Sequence, residues 1–238
     1  MSAMNSLNSL KSHYGAFVDE VQQCCLEYHR TPDDVCIVAV SKTVGVDVVA
    51  QGIEAGIRDF GENRPDDLTL KGQAFPDRTW HFIGNIQSRK IPAIVAQADL
   101  IHSLYQAHHI ELLEKSAASL GKVQKVLLEV NVAREANKQG LAPQELAGML
   151  EQCSAQPHIQ VCGLMTMAPQ GDLIQAQECF ENLAELAQNM RKSLSNVLVE
   201  QEFRELSMGM SEDWRPALAA GATIIRIGRL IFDDTYRT

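Results

Sequence analysis

The sequence is poor in positive charge. Its 238 residues include 21 lysines and arginines against 30 aspartates and glutamates, which gives a formal net charge of -9. A surface that neutralises a phosphate backbone needs clustered Lys and Arg, so this balance argues against nucleic-acid binding. No apolar run is long enough to span a bilayer, and residues 1–5 lack the basic flank of a signal peptide. We therefore expect a cytoplasmic protein that binds neither nucleic acid nor membrane.

Cysteine patterns typical of zinc sites and disulfide frameworks are also missing. Six cysteines occur, and none forms a C-x-x-C pair or has the histidine spacing that a zinc site shows. Cys36 and Cys162 lie within apolar runs, where a buried, reduced thiol is the usual situation. The sequence predicts neither a disulfide nor a metal site.

Short β-rich apolar runs alternate with longer helical segments. A helix with three- and four-residue apolar spacing over 6–28 precedes the first strand. Eight runs are predicted as strands: 35–40, a run ending at Phe60, 80–83, 100–102, 126–132, 159–167, 205–208 and 223–227. Helices are predicted over 47–55, 87–96, 107–119, 143–153, 174–194 and 213–219, with Gly56, Gly121 and Gly221 at helix ends.

Eight strand–helix units in a chain of this length favour a closed (β/α)8 barrel, a TIM barrel, over an open doubly wound sheet. No repeat or Pro/Gly/Ser-rich linker interrupts the series, so we expect one domain over residues 1–238.

Functional groups of such barrels gather at the C-terminal ends of the strands. Lys42 directly follows the first strand, and a lysine among apolar walls loses proton affinity and can attack an aldehyde. A solvated lysine that merely ends the strand is the alternative. Glu62, Asn63 and His81 follow or end the next two strands, where they can contact a ligand, orient Lys42 or do neither. Met165 ends strand six, and core packing is the simpler explanation for it.

The segment 206–213 leads from strand seven into a helix and is rich in small residues. Ser211 is placed as an N-cap, and a helix N-terminus is a natural anion site, so this segment is typical of a phosphate cup. An ordinary capped helix start is the alternative. Barrel enzymes often bind phosphate between the loops after strands seven and eight, and Gly228 permits close approach there.

Arg226 interrupts the apolar run of strand eight. It can pair with an acidic residue in the barrel, or it can lie beside the ring nitrogen of a heteroaromatic cofactor. In the second case the ring stays neutral, because arginine keeps its proton and cannot accept another. The polar loop 131–140 carries Lys138, a candidate for a second amine near the ligand, although most such loops are solvated.

Six blocks, 39–43, 60–63, 81–84, 163–166, 207–211 and 226–228, together resemble the pyridoxal 5'-phosphate homeostasis protein family. That family is related to the N-terminal barrel domain of bacterial alanine racemase and to ornithine decarboxylase. It lacks the racemases' C-terminal β-domain, so the resemblance implies no C-terminal β-domain in this chain, which stops soon after the eighth strand. The resemblance implies that Lys42 holds pyridoxal 5'-phosphate as a Schiff base, that Ser207, Gly209, Ser211 and the backbone near Gly228 hold its phosphate, and that Arg226 faces the pyridine nitrogen. Lys138 matches a family lysine implicated in cofactor handling. The chain departs from the family pattern at Val44 and Arg64.

The predicted function is storage, buffering and delivery of this cofactor to apo-enzymes by a monomer without a robust catalytic activity. None of the four tyrosines lies in a recognisable catalytic context, so the proton-transfer pair of the racemases is incomplete. An amino acid racemase or decarboxylase is one alternative, and a Schiff-base aldolase for a sugar phosphate is another. We predict no catalytic residue and no metal ligand, and the following cofactor-binding residues: Lys42, Asn63, His81, Met165, Ser207, Gly209, Met210, Ser211, Arg226 and Gly228.

Overall fold

The structure is a computed structural model that describes residues 2–133, 135, 138–194 and 202–236, with side chains described from residue 9 onward. Eight parallel strands pair in sequence order, and the eighth pairs with the first, which closes a barrel. The strands are β1 Cys36–Val40, β2 Asp59–Glu62, β3 Thr79–Phe82, β4 Leu100–Leu104, β5 Gln124–Glu129, β6 Ile159–Met165, β7 Glu205–Ser207 and β8 Ile224–Ile227. The predicted (β/α)8 barrel is confirmed.

Helices surround the barrel and follow the strands as the apolar spacing indicates. They are α1 Ser2–Glu27, α2 Val46–Glu54, α3 Pro65–Ala74, α4 Ile91–Gln97, α5 His108–Ser119, α6 Leu146–Ser154, α7 Leu173–Ser193, α8 Trp214–Ala219 and α9 Arg229–Phe232. The helices α3 and α9 are absent from those named on sequence. Helix α3 begins with Pro65 at its first position, which is compatible with a helix start, although half of its residues are polar.

The helix ends predicted at three glycines are confirmed. Gly56, Gly121 and Gly221 have φ values of 98°, 63° and 97°, a region that glycine adopts without steric cost. Each lies two residues beyond a helix end and turns the chain toward the next strand. None of the helices in the described part of the chain combines the length and apolar character that crossing a bilayer requires.

The apolar core has two parts. The larger part lies between the strands and the helices and holds buried side chains such as Phe60, Trp80 and Phe180. The smaller part includes Val38, Leu127 and Ile224, which alternate along their strands with residues of the larger part. Because successive side chains of a strand point to opposite faces, these smaller residues fill the interior of the barrel. The interior is therefore packed, and two cavities lie at the ends of the barrel.

Candidate functional site

A cavity of about 600 Å³ lies at the C-terminal ends of the strands, and we call it the upper cavity. Most of the residues predicted to bind a cofactor line it together, although they come from five different strand ends. These residues are Lys42, Asn63, Met165, Met210, Ser211, Arg226 and Gly228. The chain thus brings an amine, a guanidinium and a hydroxyl group to one space.

Three predicted residues do not line the upper cavity. His81 and Ser207 are buried inside the barrel. Gly209 has a φ of 93°, and a Cβ atom there would lie 2.6 Å from the Cβ of Ala217, so a side chain would collide with α8. Gly209 therefore allows the loop after β7 to pack against α8. His81, Ser207 and Gly209 thus lie behind the residues that line the upper cavity.

The chain just before Lys42 is fixed by a buried ion pair. Lys71 of α3 lies 2.5 Å from Glu62 at the end of β2, and both side chains are almost completely buried. The Lys71 ammonium also donates to the backbone oxygen of Ser41 at 2.8 Å, and the Ser41 hydroxyl donates to Glu62 at 2.6 Å. Glu62 thus orients the segment that carries Lys42, which was one of its predicted roles. Lys71 was not identified from the sequence because a lysine in a polar helix is usually solvated.

Lys42 itself is exposed at the mouth of the upper cavity. The expectation that apolar walls surround its amine is therefore wrong for this structure. Val40, the last residue of β1, contributes to the cavity wall, but the lysine chain extends beyond the packed strand into the open mouth. The amine is accessible to an aldehyde from solution.

The prediction of Ser211 as a helix N-cap is wrong. Helix α8 begins at Trp214, and Asp213 is its N-cap residue. The Asp213 carboxylate accepts a hydrogen bond from the Met210 backbone N–H at 2.5 Å, which tightens the turn before the helix. Ser211 faces the upper cavity instead, and within the described residues its hydroxyl group has no hydrogen-bond partner. This hydroxyl group is therefore available to a ligand.

Arg226 forms part of the cavity floor, and its side chain is buried. It donates to the Ser207 hydroxyl oxygen at 2.6 Å and to the Thr166 backbone oxygen at 3.1 Å. No acidic side chain in the described part of the chain lies within ion-pair distance of it. Burial lowers the pKa of Arg226 to about 10, so it stays protonated at neutral pH. A permanent cation is therefore held at the floor of the cavity by neutral partners.

A chain of hydrogen bonds continues from Arg226 through the barrel. His102 of β4 lies 2.9 Å from Ser207 through Nδ1 and 2.9 Å from His81 Nδ1 through Nε2. The other nitrogen of His81 lies 3.3 Å from Asp59 at the opposite end of the barrel. Burial, with the neighbouring His81 and Arg226, holds the pKa of His102 well below its usual value, so His102 is neutral.

The direction of these hydrogen bonds follows from the two charged ends. Arg226 can only donate and the Asp59 carboxylate can only accept, so a consistent chain runs from Ser207 O–H to His102, from His102 to His81, and from His81 to Asp59. In this arrangement each imidazole donates through Nε2 and accepts through Nδ1. His102 was predicted to end a strand, and its position in the barrel interior depends on pairing that the sequence does not show.

Glu129 was not identified from the sequence. It ends β5, lines the upper cavity and is 3% exposed. Burial raises its pKa to about 7, although the nearby Arg226 opposes the shift. A carboxyl group that changes its proton near neutral pH thus faces the same space as Lys42. The sequence signal was weak because Glu129 lies within an apolar β-run.

Two other groups lie outside the upper cavity. Lys138 forms an ion pair with Glu135 at 2.7 Å and borders a separate pocket of the loop after β5, so the structure does not bring it to Lys42. None of the four tyrosines is among the residues that line the upper cavity. Tyr105 approaches it indirectly, since its hydroxyl donates at 3.2 Å to Asn85, which does line the cavity.

Comparisons with known proteins agree with this geometry. Residues 23–235 match the family described as "Alanine racemase, N-terminal domain". The "Pyridoxal phosphate homeostasis protein" of Synechocystis is 37% identical over 85% of this chain and 93% of its own length, and that of Aquifex aeolicus is 33% identical over 91% and 94%. The structure of PipY from Synechococcus elongatus with PLP bound has a TM-score of 0.78 at 33% identity and covers 89% of this chain and 99% of PipY.

The resemblance predicted from the six sequence blocks is therefore confirmed. The match extends over most of this chain and most of each relative, and it includes the strands on both sides of the upper cavity. The chain belongs to the alanine racemase N-terminal domain family and, within it, to the pyridoxal phosphate homeostasis proteins.

Proposed function

We propose that this chain is a pyridoxal 5'-phosphate carrier that binds the cofactor in the upper cavity, stores and buffers it, and delivers it to apo-enzymes. The observation that carries the proposal is the meeting of Lys42, Arg226 and Ser211 in one cavity of about 600 Å³. Membership of the homeostasis family and the PLP-bound structure of PipY support the same cofactor.

The chemistry of the lining fits each part of the cofactor. Lys42 supplies an exposed primary amine, the group that takes up an aldehyde as a Schiff base. Ser211 supplies a hydroxyl group without a partner among the described residues, and Gly228 lines the same cavity without placing a side chain in it. Arg226 supplies a buried donor for a ring nitrogen. When bound, the cofactor provides a reactive aldehyde and an aromatic ring that can withdraw electrons.

Arg226 favours storage of the cofactor over catalysis with it. Its pKa of about 10 keeps it protonated, so it can donate a hydrogen bond but cannot leave the ring nitrogen with an extra proton. A carboxylate at this position would stabilise a protonated ring, the stronger electron sink. His102 and Ser207 reinforce this role because they hold the guanidinium through neutral groups.

We further propose that the chain acts as a cytoplasmic monomer, with residues 1–238 as a single cofactor-binding domain. All six cysteines are unpaired, which suits a reducing compartment. One chain supplies every group named above, so the site does not need a second subunit. The receiving partners would be apo-enzymes that need pyridoxal 5'-phosphate, reached through the open cavity mouth.

The test of the proposed function is a covalent map of the cofactor. Protein loaded with pyridoxal 5'-phosphate is reduced with borohydride, and the pyridoxyl group is located by peptide mass. We expect the visible absorption band of a protonated Schiff base, and a reduced adduct on Lys42. Lys42→Ala should lose both, whereas Lys115→Ala, on the exposed face of α5, should keep them. An undiminished adduct in Lys42→Ala would refute the assignment.

A second candidate function is a racemase or decarboxylase of small amino acids. Glu129 favours it, because a carboxyl group with a pKa of about 7 in the same cavity as Lys42 is suited to general acid–base catalysis. Purified, cofactor-loaded protein is incubated with L- and D-amino acids, and the products are separated on a chiral column. Steady turnover that Glu129→Gln abolishes would establish this function, and its absence would support the carrier.

A further inference from the structure

A second cavity, of about 660 Å³, lies at the N-terminal ends of the strands, and we call it the lower cavity. Cys36 begins β1 and Asp59 begins β2, and both line this cavity. His81 of β3 reaches the same place from the barrel interior. The ligand atoms of these three residues, Sγ, a carboxylate oxygen and an imidazole nitrogen, all lie within 4.8 Å of one another.

We propose that Cys36, Asp59 and His81 form a zinc site at the lower end of the barrel. Zinc binds Cys sulfur at about 2.3 Å, His nitrogen at about 2.0 Å and carboxylate oxygen at about 2.1 Å, in tetrahedral geometry. The corresponding distances between ligand atoms are about 3.3 to 3.6 Å. The observed 3.3 Å between His81 Nε2 and Asp59 Oδ1 already matches one such edge.

The donor set selects the metal. One thiolate and one imidazole favour zinc over magnesium or calcium, which prefer ligand sets made of oxygen atoms. A thiolate, a carboxylate and a neutral imidazole carry two negative charges, which one divalent cation balances. Three protein ligands leave a fourth position, and the lower cavity beside Cys36 and Asp59 has space for a water molecule there.

Residues behind the three ligands already provide the support that a metal-bound histidine needs. A ligating histidine usually hydrogen-bonds through its second ring nitrogen, which fixes the ring orientation. His81 meets this condition, because its Nδ1 lies 2.9 Å from His102 Nε2 while Nε2 points to Asp59. His81 and His102 are both buried, so the ring is held in place before a metal arrives.

Zinc would also reverse the hydrogen bonds inside the barrel. A metal on His81 Nε2 moves the ring proton to Nδ1, which then donates to His102. His102 in turn donates to Ser207, the partner of Arg226. The lower site is therefore linked to the floor of the upper cavity, although zinc binding requires no cofactor. The Cys36 thiol must also lose its proton to solvent, so each bound ion releases one proton.

The test uses the full chain, with and without pyridoxal 5'-phosphate, dialysed against a chelator and then titrated with cobalt(II) as a spectroscopic probe and with zinc. We expect one ion per chain, a thiolate-to-cobalt charge-transfer band in the difference spectrum, and displacement of cobalt by zinc. Cys36→Ser should lose the band and bind zinc at least tenfold more weakly. The matched control is Cys162→Ser, since Cys162 is also a strand cysteine, buried where Cys36 is half-buried, but lies outside the trio, and it should behave like wild type.

A second measurement needs no variant. Zinc should protect one thiol from iodoacetamide, and peptide mass should identify it as Cys36. Failure to bind a stoichiometric ion, binding without a charge-transfer band, or equal alkylation of Cys36 with and without zinc would overturn the proposal. The three residues would then be a hydrogen-bonded group only. None of these readouts depends on the Schiff base on Lys42, so failure here and failure of the carrier function are distinguishable.

Discussion

Glu129→Gln tests the electrostatics of the upper cavity quantitatively. Burial raises the pKa of Glu129 from an ordinary 4.5 to about 7. Between these two values the unfolded chain loses this proton while the folded chain keeps it, so the free energy of unfolding falls as pH rises. Each pKa unit corresponds to about 1.4 kcal/mol, so the loss reaches about 3 kcal/mol and is complete above pH 7. Glutamine has nearly the same shape but no proton to lose, and it escapes this loss.

The assay is urea unfolding of cofactor-free protein at a series of pH values from 4.5 to 8, followed by the fluorescence of the buried Trp80 and Trp214. Relative to wild type, Glu129→Gln should gain about 3 kcal/mol in the free energy of unfolding across this range. Glu178→Gln, on the exposed face of α7, should run parallel to wild type. Parallel curves for Glu129→Gln as well would refute the reasoning, because Glu129 would then ionise equally in both states.

Three further predictions concern packing and charge. Gly84→Ala should destabilise the fold by more than about 1 kcal/mol and weaken cofactor binding, since its Cβ would lie 2.0 Å from a backbone oxygen at the end of β2. The control is Gly148→Ala in α6, where a Cβ meets nothing. It should instead stabilise the fold by about 0.5–1 kcal/mol in the same urea assay. Ser211→Glu should lower cofactor affinity at least about tenfold, or about 1.4 kcal/mol, because a carboxylate repels the phosphate. A spectral titration measures this affinity, and an unchanged affinity would place the phosphate elsewhere. Lys71→Met should cost about 3–5 kcal/mol of unfolding free energy by leaving the Glu62 carboxylate buried and unpaired. The double variant with Glu62→Leu should recover most of the lost free energy. Equal losses in the single and the double variant would contradict this explanation.

The barrel was predictable because it depends on local patterns. Each of the eight predicted strands corresponds to an observed one, since short β-rich runs separated by helical spacing leave few arrangements for a parallel sheet. Errors arose where local signals were weak or duplicated. Ser211 has the chemistry of an N-cap, but Asp213, two residues later, has it too and occupies that position.

The upper cavity was predictable in part. Residues that follow a strand, such as Lys42 and Gly228, were found because the C-terminal ends of all eight strands meet at one face. Residues whose importance depends on a distant partner were missed. Lys71 pairs with Glu62 across nine positions, and His102 contacts Ser207 across 105.

Residue spacing and short blocks of residues encode the succession of strands and helices, the polar groups at the strand ends and the family to which the chain belongs. The folded barrel alone shows which polar groups are buried and which contact each other, because burial and contact depend on the packing of all eight strands together. It raised the pKa of Glu129 by desolvation, left Lys42 accessible, and brought Cys36, Asp59 and His81 together from three strands that the cysteine and histidine spacing gave no reason to connect.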